Sequence, residues 1–244
     1  MKYFRSCLLL ICFLIFGIGS FFVNFIIFPA SKLLLPPKNR NDFYSIIIQR
    51  TWRFLIFLLE SLRLIKLDIK DLGALESIKN KVIVATHPSF IDIVILMAFI
   101  PKTTCFAKEK IATHPLLKNI LSTIFITDNI DIDGLKEQSK KMLDFGFNVI
   151  IFPSGIRHRK GEYPKIKKGA SLIALNSKKN IIPIKLYSDD DFLFINQPFY
   201  EAGESCVTFT VEVLPEIDIN TEIKTDDIIA KKNITNKIEK SLYN

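Results

Sequence analysis

The chain has 244 residues, 49% of them hydrophobic and 24% charged, with a formal net charge of +8. That balance excludes a disordered chain. The basic excess suits anionic partners such as phospholipid head groups, phosphorylated substrates or coenzyme A, and no zinc-finger, helix-turn-helix or RNA-binding signature points to nucleic acid. Phenylalanine is unusually frequent, with 21 residues crowded towards the N-terminus. Cys7, Cys12, Cys105 and Cys206 form no Cys-x-x-Cys pair. They carry no metal or redox motif, imply no disulfide framework, and fit a reducing compartment.

No charged residue occurs from Ser6 to Ser31, and the apolar core Cys7 to Phe28 ends at Pro29. A spanning helix needs about 20 apolar residues, so the run is long enough. It exceeds the apolar core of about 7–15 residues found in signal peptides, and no A-x-A site follows, so an uncleaved anchor is expected. A second apolar stretch, Phe43 to Ile65, holds Arg50, Arg53, Glu60 and Arg63. Those charges argue against a simple span. An interfacial helix with snorkelling arginines and a helix packed on the domain both remain open. Lys32, Lys38, Arg40, Arg50 and Arg53 outnumber Lys2 and Arg5, which places the following domain on the cytoplasmic side. The expected division is a membrane anchor and interfacial helix over 1–67 and a catalytic domain over 68–244.

Beyond Asp68, short apolar runs alternate with helical patterns. Strands are expected over Lys81–Ala85, Thr103–Ala107, Asn148–Phe152, Ile181–Leu186 and Val207–Leu214. Helices are expected over Ile91–Phe99, Pro115–Phe125, Leu135–Phe145 (stopped by Gly146), Gly169–Asn176 and Asp226–Leu242. This alternation predicts an α/β fold: a mixed, partly parallel sheet sandwiched by helices, behind an N-terminal membrane-associated helical segment.

Two segments carry chemistry. The first is Thr86-His87-Pro88-Ser89-Phe90-Ile91-Asp92, a turn from a buried strand into a helix. Such turns at a sheet's carboxyl edge hold the sites of α/β proteins. Asp92 folded back onto His87 would fix the imidazole tautomer and let it deprotonate a hydroxyl near neutral pH. Ser89-x-x-Asp92 also fits a helix cap, so both readings stay open. The second segment is Phe152-Pro153-Ser154-Gly155-Ile156-Arg157-His158-Arg159-Lys160, extended by Lys165, Lys167 and Lys168. Gly155 permits close backbone approach and Arg157 suits a phosphate. A solvated basic loop is the alternative. Ser154 lacks the Gly-x-Ser-x-Gly context of a hydrolase nucleophile. No metal-ligand cluster is present, and no role is given to His114 or His158.

In order and spacing these blocks resemble the glycerolipid acyltransferases of the bacterial 1-acyl-sn-glycerol-3-phosphate acyltransferase type. That family carries Asn-His-x-x-x-x-Asp, then a Lys seven residues before a Pro, then Phe-Pro-Glu-Gly-Thr-Arg, Lys-Gly-Ala and a Pro between apolar residues. The chain has His87 and Asp92, Lys108 and Pro115, Phe152 to Arg157, Lys168-Gly169-Ala170 and Ile182-Pro183-Ile184. The resemblance covers roughly Lys81 to Leu186. Thr86, Ser154 and Ile156 depart from the family's Asn, Glu and Thr, and Ile124 to Asn129 lacks an arginine that the family often has there.

The resemblance implies a membrane enzyme of phospholipid synthesis, at a bacterial inner membrane with its catalytic domain cytoplasmic. It implies acyl-CoA or acyl carrier protein as donor, a lysophospholipid as acceptor and no cofactor. His87 would be the general base, oriented by Asp92, with Arg157, Lys108, Gly155 and Ser154 at the acceptor phosphate. The departures keep two alternatives open: a different lipid acceptor, or a non-catalytic lipid-binding relative.

Overall fold

The computed structural model describes residues 2–107, 125–127, 131–224 and 226–244. Seven strands form one sheet: β1 (Ile65–Ile69), β2 (Val82–Ala85), β3 (Thr103–Ala107), β4 (Ile126–Thr127), β5 (Asn148–Ile151), β6 (Ile181–Ser188) and β7 (Val207–Val213). Their order is β1-β7-β6-β2-β5-β3-β4. Every neighbouring pair is parallel except β6 with β7. β2 is central, with Val82 opposite Val149 on one side and Ile181 on the other. All four of its residues are buried, which explains its unbroken apolar sequence.

The five expected strands are present, with ends shifted by at most two residues. β1 and β4 were not expected. Ile65-Lys66-Leu67-Asp68-Ile69 alternates over only five residues at the end of an apolar run, and it straddles the boundary placed after residue 67. Its register partner β7, Val207 to Val211, is remote in sequence. The helix expected over 115–125 lies outside the described residues except for Phe125, as do Lys108, His114 and Pro115.

Period-two alternation sends the side chains of β2, β5 and β6 to two separate cores. Ile83, Ala85, Ile150, Ile182, Ile184 and Leu186 face the first. Val82, Val84, Val149 and Ile181 face the second. The first core is closed by α5 (Asp92–Phe99) and the N-terminal helices. These are α1 (Lys2–Phe22), a π-helical turn over Val23–Ile27, α2 (Phe28–Leu34) and α3 (Pro37–Ser61). The short α4 (Leu72–Ser77) is capped by Asp71, whose Oδ1 accepts from the Ala74 N–H at 2.8 Å. The second core is closed by α6 (Ile132–Asp144), α7 (Gly169–Ser177) and α8 (Asp227–Tyr243). Asp131 and Asp226 cap α6 and α8 through their carboxylates.

α1 to α2 runs on as a single helical rod of 33 residues. Its N-terminal end is fastened to the sheet domain. Lys2 pairs with Glu201 at 2.6 Å. Arg5 donates to the carbonyls of Arg63, Leu64 and Ser205, and the Ser6 hydroxyl accepts from the Ala202 N–H. The rod then packs along α3, with Phe16 stacked on Trp52 at 5.0 Å and Phe28 against Tyr44 at 4.4 Å. α3 is held by the domain along its length. Asp42 pairs with Lys102 at 2.6 Å, Arg53 donates to the Ala98 carbonyl and pairs with Glu76, and Glu60 accepts from the Leu67 N–H. The structure packs this helix on the domain: Arg53 and Glu60 are bonded to it, while the Arg50 and Arg63 side chains have no partner among the described residues. The rod's outer side stays apolar and exposed at Leu10, Ile11, Leu14, Ile18, Phe21, Phe22 and Phe25.

Candidate active site

Thr86 closes β2. Its hydroxyl donates to the Leu186 carbonyl at 2.5 Å and accepts from the Leu186 N–H at 2.7 Å, pinning the strand end to β6. The chain then leaves the sheet, and α5 begins five residues after His87, at Asp92. The turn brings His87 Nδ1 to 2.8 Å from Asp92 Oδ2. The same oxygen accepts from the Ser89 N–H at 2.7 Å. One carboxylate oxygen therefore ties the imidazole to the backbone of the turn; it does not cap α5, whose N-cap residue Ile91 has no side-chain hydrogen bond. Asp92 is fully buried, and its Oδ1 has no hydrogen-bond partner among the described residues. His87 keeps 20% of its side chain exposed. One imidazole nitrogen is held by the carboxylate, and the ring reaches solvent.

Burial raises the Asp92 carboxyl to about 6, against the lowering effects of His87, the Ser89 amide and Arg157. Above that pH it is a carboxylate able to stabilise an imidazolium at His87. Phe152 covers one face of the imidazole, with ring centroids 4.0 Å apart and planes 15° from parallel. Phe152 belongs to the quoted block but was given no role there; a residue type alone does not announce a stacking partner. The two chemical segments are also joined at the backbone, where the His158 N–H donates to the His87 carbonyl at 2.9 Å.

The connection between β6 and β7 locks this arrangement. The Ser89 hydroxyl donates to the Phe192 carbonyl. The Leu193 carbonyl accepts from the Phe90 N–H at 3.2 Å and from Arg157 Nη1 at 2.8 Å. Leu193 holds φ at +52°, a conformation costly for a side chain of its size. Arg159 forms a two-pronged pair with Asp191, at 3.0 and 2.5 Å. Sequence reading missed Leu193, because a main-chain carbonyl leaves no signature in residue type.

Arg157 thus lies close enough to Asp92 to act on its charge and is anchored by one nitrogen. The Ser154 hydroxyl donates to the Ile156 carbonyl at 2.9 Å and is buried in its own turn. Gly155 adopts φ +68°, and a Cβ there would stand 2.6 Å from Lys167 Nζ. Its N–H donates to the Phe152 carbonyl, leaving the Ile156 and Arg157 N–H groups without partners among the described residues. Lys108 lies outside the described residues. Among those described, no group of three His, Cys, Asp or Glu side chains is placed to hold a metal ion.

A base held by a buried carboxylate, beside an arginine and a turn with unpaired amides, suits attack by a hydroxyl on an acyl carbon. Known proteins point the same way. A 1-acyl-sn-glycerol-3-phosphate acyltransferase of Cocos nucifera is 32% identical over 42% of this chain and 36% of its own length. A putative enzyme of that name from Caenorhabditis elegans is 24% identical over 93% of this chain and 80% of its own. One from Helicobacter pylori is 32% identical over 53% and 55%. The chain thus spans little more than a third to just over half of two of these relatives. The fold is that of the 1-acyl-sn-glycerophosphate acyltransferase of Thermotoga maritima, at a TM-score of 0.76 and 16% identity, over 98% of this chain and 95% of that one. The acyltransferase family model matches residues 66–187, from β1 through β6, and the chain belongs to that family.

Proposed function

We propose that the chain transfers an acyl group from an acyl thioester to the free hydroxyl of 1-acyl-sn-glycerol-3-phosphate, giving phosphatidic acid. The observation that carries this is the buried Asp92 carboxylate 2.8 Å from His87 Nδ1, with Arg157 alongside. His87 takes the hydroxyl proton through its other ring nitrogen, Nε2. The acceptor oxygen forms a C–O bond to the thioester carbon, and Asp92 stabilises the imidazolium. The C–S bond then breaks, and the proton returns from His87 to the thiolate sulfur. Arg157 and Lys108 hold the acceptor phosphate, with Gly155 and Ser154 shaping the turn beside it. The amides of Ile156 and Arg157 are the candidate oxyanion donors.

The reaction takes place at a membrane. The exposed apolar side of the N-terminal rod fits the acyl-chain region of a bilayer. The rod and α3 form a helical hairpin; Lys2 at its open end and Asp42 near its turn are both tied to one domain, which favours docking in a single leaflet over crossing. The cytoplasmic leaflet of a bacterial inner membrane is the proposed site. A Tyr3→Cys variant, exposed near the helix start, tests this in a background with the exposed Cys7 and Cys206 replaced by Ser. Membrane-impermeant maleimide should label it only from the cytoplasmic side; labelling from outside would establish a spanning helix.

A different lipid acceptor is the second reading. It is favoured by Ser154, whose hydroxyl is spent on its own turn where the family has a carboxylate. Purified protein given acyl-CoA and a panel of lysolipids separates the two. Phosphatidic acid should dominate by mass spectrometry. Preference for a lysolipid without a terminal phosphate would overturn lysophosphatidic acid as the acceptor.

A further inference from the structure

Beside the catalytic pair, a cleft of about 330 Å³ opens on the sheet face opposite the N-terminal hairpin. Thr86 and Pro88, the neighbours of His87 in the chain, line it. So does His158, whose N–H bonds the His87 carbonyl. Its floor is β6, where Ile184 and Leu186 face the hairpin core and Lys185 and Tyr187 alternate to the other side. Its far wall is the end of α8, where Tyr243 packs on the second core and donates to the Pro164 carbonyl.

The cleft's charges are unevenly committed. Arg159 is taken by Asp191, and Glu162 accepts from the Arg159 N–H. Lys185 stands opposite Glu212 in the β6–β7 ladder. Lys160 forms no ion pair with any described residue, and its ammonium sits 4.2 Å over the Tyr187 ring. Tyr163, Tyr187 and Tyr243 add aromatic surface and hydroxyls to the lining. The site therefore suits a long, mostly uncharged polar chain with one anionic end. Arg157, His87 and Asp92 do not line it; the cleft meets the pair only through Thr86, Pro88 and His158, and the proposed acceptor grip is separate.

We infer that this cleft receives the phosphopantetheine arm of the acyl thioester donor, with its phosphate at Lys160 and its thioester end passing Thr86 and Pro88 to reach His87. The inference rests on the acyl-transfer reading. Lipid meets the protein at the hairpin face, and the hydrophilic donor enters from the opposite, aqueous face. Acyl-CoA and acyl carrier protein both present this arm.

Lys160→Glu tests it in the full-length protein. The Michaelis constant should rise for acyl-CoA, for acyl carrier protein, or for both, and the donor affected identifies the source. That rise should exceed the one for an acyl N-acetylcysteamine thioester, which lacks the phosphate, by roughly tenfold, the size of one charge-assisted contact. Equal effects on all donors, no effect, or an effect confined to the acceptor would overturn the assignment. Calorimetric titration with phosphopantetheine needs no acceptor and keeps the two readings apart. Binding weakened roughly tenfold in the variant supports the subsite even if lysophosphatidic acid proves to be the wrong acceptor. Unchanged binding contradicts it even if lysophosphatidic acid is acylated.

Discussion

The two faces of the sheet are built for different surroundings. On one, α6 and α8 turn charged residues outward, with Lys136–Asp133, Lys140–Asp144 and Lys231–Asp227 pairs along their surfaces. On the other, α1 covers α3 and presents an uninterrupted apolar side. Two polar groups of the hairpin go inward: Asn24 is fully buried in the π-helical turn without a partner among the described residues, and Trp52 Nε1 is likewise unbonded. An exposed apolar patch on this scale marks a membrane or partner surface. His87 sits at the carboxyl end of the central strand, between the two faces. In the proposed reaction, the lipid from one face and the thioester from the other both come within reach of this imidazole.

Several substitutions break or sharpen this contrast. The largest effect should come from the shared edge, where His87→Ala lowers kcat by roughly a thousandfold, the scale of a lost general base, with folding retained by circular dichroism. Next come charges on the hairpin's outer side. Ile18→Lys with Phe25→Glu should reduce co-sedimentation with anionic vesicles about a hundredfold, since each of the two lost apolar contacts is worth about 1.5 kcal/mol. Ile229→Glu, on the exposed side of α8, should leave sedimentation unchanged. Equal losses from both would erase the distinction between the faces. Arg157→Ala should raise the acceptor Michaelis constant by about 10–100-fold with little change for the donor.

Asp92 separates activity from stability. Its folded carboxyl is raised to about 6, above its ordinary value, so the folded state holds the proton more tightly than the unfolded chain. The contribution of Asp92 to stability should therefore fall as pH rises from about 4 to about 6 and level off above, opposite in sign to that of Glu216 and Glu222, whose partners hold their carboxyls low. Asp92→Asn should remove that contribution, so that stability rises more steeply from pH 4 to 6 than in the unmodified protein, and leave the melting temperature at pH 7.5 unchanged or higher, while activity is lost. In the unmodified protein, activity should decline as pH falls below about 6, where the protonated carboxyl no longer stabilises an imidazolium. The smallest effect belongs to Gly155→Ala, a loss of about 1–2 kcal/mol from holding a side chain at φ +68°.

Much of this was legible in residue order. Continuous apolar runs marked β2, β5 and β6 because they are buried on both sides. The spacing of His87 and Asp92 placed them on one strand-to-helix turn. β1 escaped notice because five alternating residues at the end of a helix carry little signal, and β7 pairs with it from far along the chain. The role of Leu193 was invisible because it rests on a carbonyl and a left-handed backbone. The direction of α1 was equally hidden. Apolar length licenses a span, and only the Lys2–Glu201 and Arg5 contacts reveal that its start is tied to the catalytic domain.

The most direct test is a single-turnover reaction of the purified protein with labelled acyl-CoA and 1-acyl-sn-glycerol-3-phosphate, run beside His87→Ala and followed by mass spectrometry. Labelled phosphatidic acid and free coenzyme A should appear in equal amounts, and both should vanish with His87. Equal product from the variant, or free fatty acid in place of phosphatidic acid, would contradict acyl transfer by this pair.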